Sequence, residues 1–294
     1  MKSKKKRKIG FTIIELLTVM SIIVILISLL VPSLQAVKRY SRVVVQRGQF
    51  HDIGTGLEMF NIDFDGYPDS IDNGYLAPAQ PPYCGAMKLC EAMLGQDGLG
   101  FHPDSKFRMD GLDGPGGADL YPDPVTLLNR RERKNPYIDI VGKYKMCALE
   151  NLYGTAAGAT DPFDPNSTVI SDVFYRIRGQ VTDDKLGMPI LYYKADIGKL
   201  YHDPNIIANG GTFDDNIYDY RDNEDLVELR VPDRVSDPHP LDNTGIPSVF
   251  YENTFSKRIA GFDRPYKEES YILISAGWDG LYGTRDDVYN FAEK

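Results

Sequence analysis

The feature that most constrains this chain is a stretch of 21 residues, 11–31, of which 16 are apolar. A helix needs about 20 apolar residues to cross the hydrocarbon core of a bilayer, so this stretch is long enough to span one. Residues 2–8 carry six positive charges and no negative one, at Lys2, Lys4, Lys5, Lys6, Arg7 and Lys8. The two segments together predict a membrane-spanning helix whose N-terminus stays in the cytoplasm.

The same stretch is also compatible with a buried helix of a soluble protein, with a cleavable secretory signal peptide, and with a plain single-pass anchor that has no further role. A signal peptide has a shorter apolar region, about 7–15 residues, and a small-residue cleavage site, whereas no Ala-x-Ala pattern follows Val31. The positive charges of Lys38, Arg39, Arg42 and Arg47, just beyond the span, reduce the charge bias that would orient a plain anchor. A plain anchor also leaves Glu15 unexplained. A carboxylate within a membrane helix is costly and is a functional candidate by default.

The sequence Lys8-Ile9-Gly10-Phe11-Thr12-Ile13-Ile14-Glu15-Leu16 resembles the processing site of type IV pilins and type II secretion pseudopilins. The resemblance consists of a basic leader, Gly, Phe, three mostly apolar residues and then Glu. It implies cleavage between Gly10 and Phe11 by a prepilin peptidase, and N-methylation of Phe11 to methylphenylalanine. It also implies that Glu15 pairs with the Phe11 amine of a neighbouring subunit during assembly.

The same resemblance implies where the protein lies and what it binds. The expected precursor is a single-pass inner-membrane protein with a cytoplasmic N-terminus and a periplasmic head, which later enters a filament that can reach the cell surface. The expected partners are other pilin or pseudopilin subunits, the prepilin peptidase, the inner-membrane assembly platform and membrane lipid.

Beyond Pro32, apolar residues recur at spacings of three and four, which predicts one long helix over residues 11–64 with about 11–31 in the membrane. They are Phe50, Ile53, Leu57, Phe60 and Phe64. The following Asp65-Gly66-Tyr67-Pro68 predicts a helix stop and a turn, and residues 57–68 together resemble the helix end of major pseudopilins. The expected organisation is a leader at 1–10, the helix at 11–64 and a pilin-like head at 65–294.

Within the head, residues 69–170 predict an irregular insertion with short helices near 84–94 and 125–133. Asp110, Asp113 and Asp119 fit no calcium-loop template well, so a solvated loop is expected there. Cys84 and Cys90 lie close enough in sequence to form a disulfide in an oxidising compartment, or all three cysteines, with Cys147, are unpaired.

Strands are expected at residues 173–177, 189–194 and 271–275, with a short last strand near 288–291. Asp184-Lys185-Leu186-Gly187-Met188-Pro189 resembles the Asp-x-Trp-Gly-x-Pro segment before a pseudopilin strand, with Leu186 in place of Trp. The predicted fold class is therefore α+β, a long N-terminal helix packed on a small antiparallel sheet with large irregular insertions.

An acidic loop at residues 275–288 follows the third strand. Its carboxylates and glycines can supply the oxygen ligands that calcium needs, and it resembles the C-terminal calcium loop of major pseudopilins. By that resemblance the ligands are the side chains of Asp279, Asp286 and Asp287 and the carbonyls of Ala276 and Leu281. Arg285 could instead neutralise one carboxylate, and a hairpin held by Asx-turns without metal is the alternative.

The charge distribution bears on the function class. The net charge is -9, and setting aside the basic leader leaves about -15 on the remainder, a surface that repels phosphate backbones. The four histidines are scattered and no nucleophile elbow or phosphate-binding Gly loop occurs. The resemblance implies a structural filament subunit, and the lack of these motifs agrees with the expectation of no enzymatic activity. The alternatives are a minor pilin or adhesin with a ligand-binding head and, less favoured, a membrane-tethered enzyme.

Overall fold

The computed structural model describes residues 12–72, 82–139, 145–154, 163, 167–230, 237–242, 247–256 and 264–291. The chain forms two compact units, Met1–Arg42 and Val43–Lys294. Its described elements combine one long N-terminal apolar helix with short helices and small antiparallel sheets, which is the α+β class expected from the sequence.

Helix α1 spans Ile13–Phe64 and includes Pro32 within its length. It ends where the sequence predicts a stop, because Asp65 adopts the left-handed conformation with φ 55° and so leaves the helical path. The short helices that follow are α2 (Gly85–Leu94), α3 (Leu127–Glu132), α4 (Leu149–Tyr153), α5 (Glu224–Glu228) and α6 (Ser248–Thr254). Single 3₁₀ turns cover Phe213–Asp215 and Tyr220–Asn223.

The principal sheet has three antiparallel strands in the order β5 (Leu191–Lys194), β6 (Tyr271–Ser275) and β7 (Val288–Tyr289). Its register pairs Leu191 with Ile274 and Ser275 with Val288. Two smaller antiparallel pairs join β1 (Lys145–Ala148) to β2 (Thr168–Ser171), and β3 (Ile177–Arg178) to β4 (Lys185–Leu186).

Strand β6 is buried along its whole length because side chains on both faces of the sheet are covered. Tyr271 and Leu273 belong to one core with the apolar stripe of α1, made of Phe50, Ile53, Leu57 and Phe60. Ile272 and Ile274 belong to a second core with α6 and Tyr193. Since successive side chains of a strand point to opposite faces, β6 links the two cores. Burying one such large apolar side chain stabilises the fold by about 1.5–3 kcal/mol.

The strand predicted at residues 173–177 is wrong in its position, since β2 ends at Ser171 and β3 begins at Ile177. The backbone between them bonds to side chains. Val173 N donates to Gln46 Oε1 of α1 at 3.0 Å, and Phe174 N donates to Asp172 Oδ1 at 3.1 Å. The intervening Tyr175 has φ 52°, which is incompatible with a strand.

In the structure Cys84, Cys90 and Cys147 are buried and outside any disulfide. Cys84 occupies the N-cap position of α2, and Cys90 lies within that helix. Six residues of helix rise about 9 Å, beyond the Cα separation of roughly 4.4–6.8 Å that a disulfide allows. The two thiols also lie in different cores, so a Cys84–Cys90 bond does not form.

Within the insertion, residues 95–119 form a succession of turns, and their carboxylates bond to neighbouring residues in the sequence. Asp110 pairs with Arg108, Asp113 Oδ1 accepts from Ala118 N at 2.8 Å, and Asp119 Oδ1 accepts from Tyr121 N at 2.9 Å. These contacts hold local turns, and each carboxylate serves a separate one.

Candidate functional site

The candidate residues lie at two places, the N-terminus of α1 and the loop after β6. Gly10 and Phe11, the expected cleavage and methylation residues, are outside the described residues. The first described residue is Thr12, directly before α1.

Thr12 and Glu15 form a reciprocal pair at the start of α1. Glu15 Oε2 accepts from Thr12 N at 2.9 Å and from Thr12 Oγ1 at 2.7 Å, and Glu15 N donates to Thr12 Oγ1 at 3.3 Å. This is the arrangement of a capping box, which supplies partners to backbone groups that the first helical turn leaves unpaired. Both of these bonds use Oε2, and Oε1 accepts none from the residues that the structure describes. The sequence predicted a role for Glu15 but not for its partner Thr12.

All side chains from Thr12 to Ser41 are exposed in the structure. The best 18-residue window of α1 has a mean hydropathy of 2.8 and none of it is buried, which suits a membrane span or a signal sequence by length and composition. So large an apolar surface is unfavourable in water, so a lipid or protein environment must cover it.

The acidic loop is shaped by three glycines with positive φ, Gly277 at 66°, Gly280 at 73° and Gly283 at 92°. A Cβ on Gly277 would lie 2.2 Å from Asp286 O, and a Cβ on Gly283 would lie 2.6 Å from Leu241 N. Both positions therefore need glycine for conformation and for space. These turns reverse the direction of the chain and so bring Asp286 close to Asp279.

The Thr284 hydroxyl lies among the three acidic side chains. Thr284 Oγ1 donates to Asp286 Oδ1 at 2.6 Å and lies 3.4 Å from Asp287 Oδ1, and its proximity lowers the pKa of Asp279. The loop closes through Asp279 N, which donates to Asp286 Oδ2 at 2.9 Å. Thr284 was not predicted, because its role depends on how the glycine turns fold the loop.

Asp279 and Asp286 are close enough to interact directly. Burial raises the pKa of Asp279, and the neighbouring Asp286 carboxyl raises it further. Burial opposes ionisation of Asp286 too, but hydrogen bonds from Thr284 and from Asp279 outweigh it and lower the pKa of Asp286. Burial and the repulsion between the two carboxylates therefore oppose ionisation of both groups, and a cation beside them would favour it.

The other predicted ligands are distributed differently. Asp287 Oδ2 accepts from Gly283 N at 2.8 Å and from Tyr289 OH at 3.0 Å, so this oxygen has a structural role. Leu281 N donates to Asp279 Oδ1 at 2.8 Å, and Ala276 is buried at the start of the loop. Arg285 is exposed and forms no ion pair within the described ranges. No group of three metal-ligating side chains occurs among the described residues.

Residues distant in sequence form hydrogen bonds with the acidic loop. Ser275 Oγ donates to Asp172 Oδ2 at 2.9 Å, and Tyr282 N donates to His239 Nδ1 at 3.1 Å. Leu241 N donates to Tyr282 O at 3.0 Å. No local pattern marks Asp172 or His239 as partners of this loop, because both contacts are made only in the folded chain.

The buried histidines also make structural contacts. His202 Nε2 lies 3.0 Å from Thr254 Oγ1, and burial lowers the pKa of His202 to about 4. His102 lies between two carboxylates, 3.9 Å from Asp104 and 3.8 Å from Glu132.

Comparison with known protein families, with curated proteins and with solved structures found no match to this chain.

Proposed function

We propose that this chain is a structural subunit of a type IV pilus-like or type II secretion-like filament. The observation that carries the proposal is α1, whose first half exposes an almost wholly apolar surface with one carboxylate, Glu15, near its start. The basic leader and the Gly10-Phe11 junction before it support cleavage by a prepilin peptidase and methylation of Phe11.

The exposed half of α1 needs a cover in every state of the protein. In the precursor, the lipid of the inner membrane covers it, with the N-terminus cytoplasmic and the head periplasmic. In a filament, the same segments of neighbouring subunits cover one another after transfer through the assembly platform. Helix association in an apolar environment depends on packing and on polar pairs.

Glu15 supplies the polar pair in this proposal. Cleavage after Gly10 creates an amine at Phe11, and an amine and a carboxylate in an apolar environment are each less costly when paired. Among the described residues nothing bonds to Oε1 of Glu15, so this oxygen can accept the amine while Oε2 keeps the Thr12 contacts.

The second half of α1 supports the same proposal. Its stripe of Phe50, Ile53, Leu57 and Phe60 is buried in one core with β5 and β6, so this part of the helix anchors the head. A signal peptide removed on export would take no part in such a core. A ligand-binding head of a minor pilin or adhesin is the alternative, and one observation favours it, a large acidic cavity described in the next section.

Mass spectrometry of the N-terminal peptide tests the processing step. When the chain is expressed with a prepilin peptidase, we expect a mature N-terminus at Phe11 carrying one methyl group. Gly10→Val should keep the leader, because a branched side chain replaces the smallest one at the cleaved bond, and Gly48→Ala is the matched control that should be processed normally. An intact Met1 terminus in assembled material would contradict the proposal.

We also propose that the acidic loop binds calcium. The support is the close approach of Asp279 and Asp286, whose neighbouring negative charges a divalent cation would neutralise. Asp287 Oδ1 lies beside the same loop, 3.3 Å from Thr284 N and 3.4 Å from Thr284 Oγ1.

Thermal unfolding of the full chain in detergent, with calcium and with a chelator, tests the site. A ligand at about 100 times its Kd stabilises the folded state by about 2.7 kcal/mol, which raises Tm by several degrees. Asp279→Asn should abolish the calcium response. Asp183→Asn, which alters an exposed acid paired with Arg178, should preserve it. An equal response in both variants would place calcium elsewhere, and no response in the wild type would refute the proposal.

A further inference from the structure

The head contains a cavity of about 820 Å³. Its walls come from four parts of the chain: residues 61–72 at the end of α1 and the turn after it, 194–199 from the end of β5 onward, 214–222 around the second 3₁₀ turn, and 269–270 before β6. The volume lies within the range of about 300–1,000 Å³ that is typical of pockets for small molecules.

The cavity is strongly acidic, since eight acidic and three basic side chains line it. The positive charge of Arg221 is already paired, because its guanidinium donates to Asp219 and Asp214. Lys194 and Lys199 have no ion pair within the described segments. The remaining carboxylates produce a negative potential, which walls of low dielectric intensify.

Asp222 is a largely buried acid on the cavity wall. It is 5% exposed, and its Oδ2 accepts from Ser70 Oγ at 2.5 Å. Ser70 Oγ in turn accepts from Lys194 N at 2.9 Å, which fixes the hydroxyl. Among the described residues, Asp222 Oδ1 accepts no hydrogen bond, and it is not one of their buried unpaired atoms, so a ligand in the cavity can reach it. Burial and nearby Asp219 raise the pKa of Asp222, whereas the charge of Lys88 lowers it. A cationic donor in the cavity would bond to Oδ1 and favour the ionised carboxyl.

The lining favours an organic cation over a metal ion. Among the described residues that line the cavity, no group of three His, Cys, Asp or Glu side chains could hold a metal ion. Apolar side chains also line it, among them Ile71, Ile217 and Tyr67. Two further acids, Asp196 and Glu269, are exposed at the rim, whereas Asp222 is buried. A lining with both acidic and apolar side chains matches ammonium groups joined by methylene chains.

We propose that this cavity binds primary ammonium groups on an aliphatic chain, in the form of a di- or polyamine. One ammonium group would donate to Asp222 Oδ1 inside the cavity, the chain would lie along Ile71 and Ile217, and a second ammonium group would meet Asp196 and Glu269 at the rim. The proposal is independent of filament assembly, so either one can fail while the other stands.

Isothermal titration of the full chain in detergent with spermidine and with putrescine tests the proposal. We expect one-to-one binding that weakens as the salt concentration rises, and no binding of butane-1,4-diol, which has the length of putrescine without its charge. Nα-acetyl-lysine methylamide, with one ammonium group, should bind about tenfold more weakly than spermidine. Equal affinity for the two would instead assign the cavity to a lysine side chain of a peptide.

Variants locate the site. Asp222→Asn keeps the shape of the carboxyl and should weaken spermidine binding about tenfold. The double change Asp196→Asn with Glu269→Gln should weaken it severalfold, and it tests the rim even where Asp222→Asn alters folding. Asp183→Asn, outside the cavity, is the matched control and should bind like the wild type. The proposal is overturned by unchanged affinity in both cavity variants, by binding of the diol, by calcium displacing spermidine at lower concentration, or by no binding at millimolar amine.

Discussion

Asp172 contacts several separate segments of the head. It is 1% exposed, and its two oxygens accept from Phe174 N and from Ser275 Oγ. A Cβ on Gly187 would lie 2.1 Å from Asp172 O, so only glycine fits opposite it. That contact gives a physical reason for Gly187 in the segment that resembles a pseudopilin strand approach.

Burial raises the pKa of Asp172 from 3.8 to about 7. The folded protein therefore holds a proton on Asp172 between those two pH values, whereas the unfolded chain has released it. Stability from this group is complete below the unfolded pKa and is lost as pH rises toward about 7. Asp172→Asn should remove this part of the pH dependence.

Urea unfolding of the wild type and of Asp172→Asn at several pH values between 4 and 8 measures the effect. Asp219, whose pKa burial also raises to about 7, contributes to the same range in both proteins, so the difference between the two curves isolates Asp172. Parallel curves would show that Asp172 ionises in the folded protein as it does in the unfolded chain.

Glu91 is the second buried acid with a structural role. It is 1% exposed, and its carboxylate accepts from four side chains of the segments around α2 and the insertion. The donors are Ser105 Oγ at 2.5 Å, Tyr83 OH at 2.6 Å, Tyr121 OH at 2.9 Å and Gln96 Nε2 at 3.2 Å. The carboxylate thus ties the irregular insertion to the most deeply buried helix of the head.

Glu91→Ala should destabilise the protein by about 2–4 kcal/mol, because four donors lose their acceptor in a buried place. Glu91→Gln keeps an acceptor oxygen and should cost less. Exposed Asp183→Ala, the control, should change the free energy of unfolding by no more than about 0.5 kcal/mol. A loss below about 1 kcal/mol for Glu91→Ala would mean that water replaces the carboxylate in the insertion.

At the scale of elements, the sequence predicted what depends on local periodicity. The stripe of α1 repeats every three or four residues and is buried as expected, and the run at residues 271–275 forms β6 with its predicted bounds. Helix α2 begins within one residue of its prediction. In each case the pattern that marks the element also determines the side chains that it buries.

The misplaced strand at residues 173–177 shows where local reasoning ends. Its residues have high strand propensity, yet Gln46, more than 120 positions earlier, takes the backbone donor of Val173. The acidic loop shows the same limit. Asp279, Asp286 and Asp287 stand out by composition, but the position of Thr284 among them and the support from Asp172 depend on tertiary contacts. Such contacts routinely override propensity.

For the whole molecule, the proposed function requires that one chain be stable both in a membrane and in a filament. Under that proposal the exposed half of α1 exchanges lipid for neighbouring helices, while the buried half of the same helix packs in the core of the head. Moving this surface from lipid to neighbouring helices gains little hydrophobic free energy, because both environments are apolar. An ion pair between Glu15 and the Phe11 amine of a neighbouring subunit, formed only after cleavage, would favour assembly and fix the register of the two helices.

Two variants at the start of α1 separate that charge from the helix cap. Glu15→Gln keeps an oxygen that can accept from Thr12 N, so the capping box is retained while the charge is lost. Thr12→Ala removes the cap and keeps the charge.

If the charge drives assembly, Glu15→Gln should be processed normally yet reduce the filament yield at least about tenfold, because one pair contributes more than about 1.4 kcal/mol per subunit. Thr12→Ala should still assemble. Pelleting of sheared filaments, with N-terminal mass spectrometry of both variants, measures the yields. The reverse order of yields would assign Glu15 to the stability of its own helix.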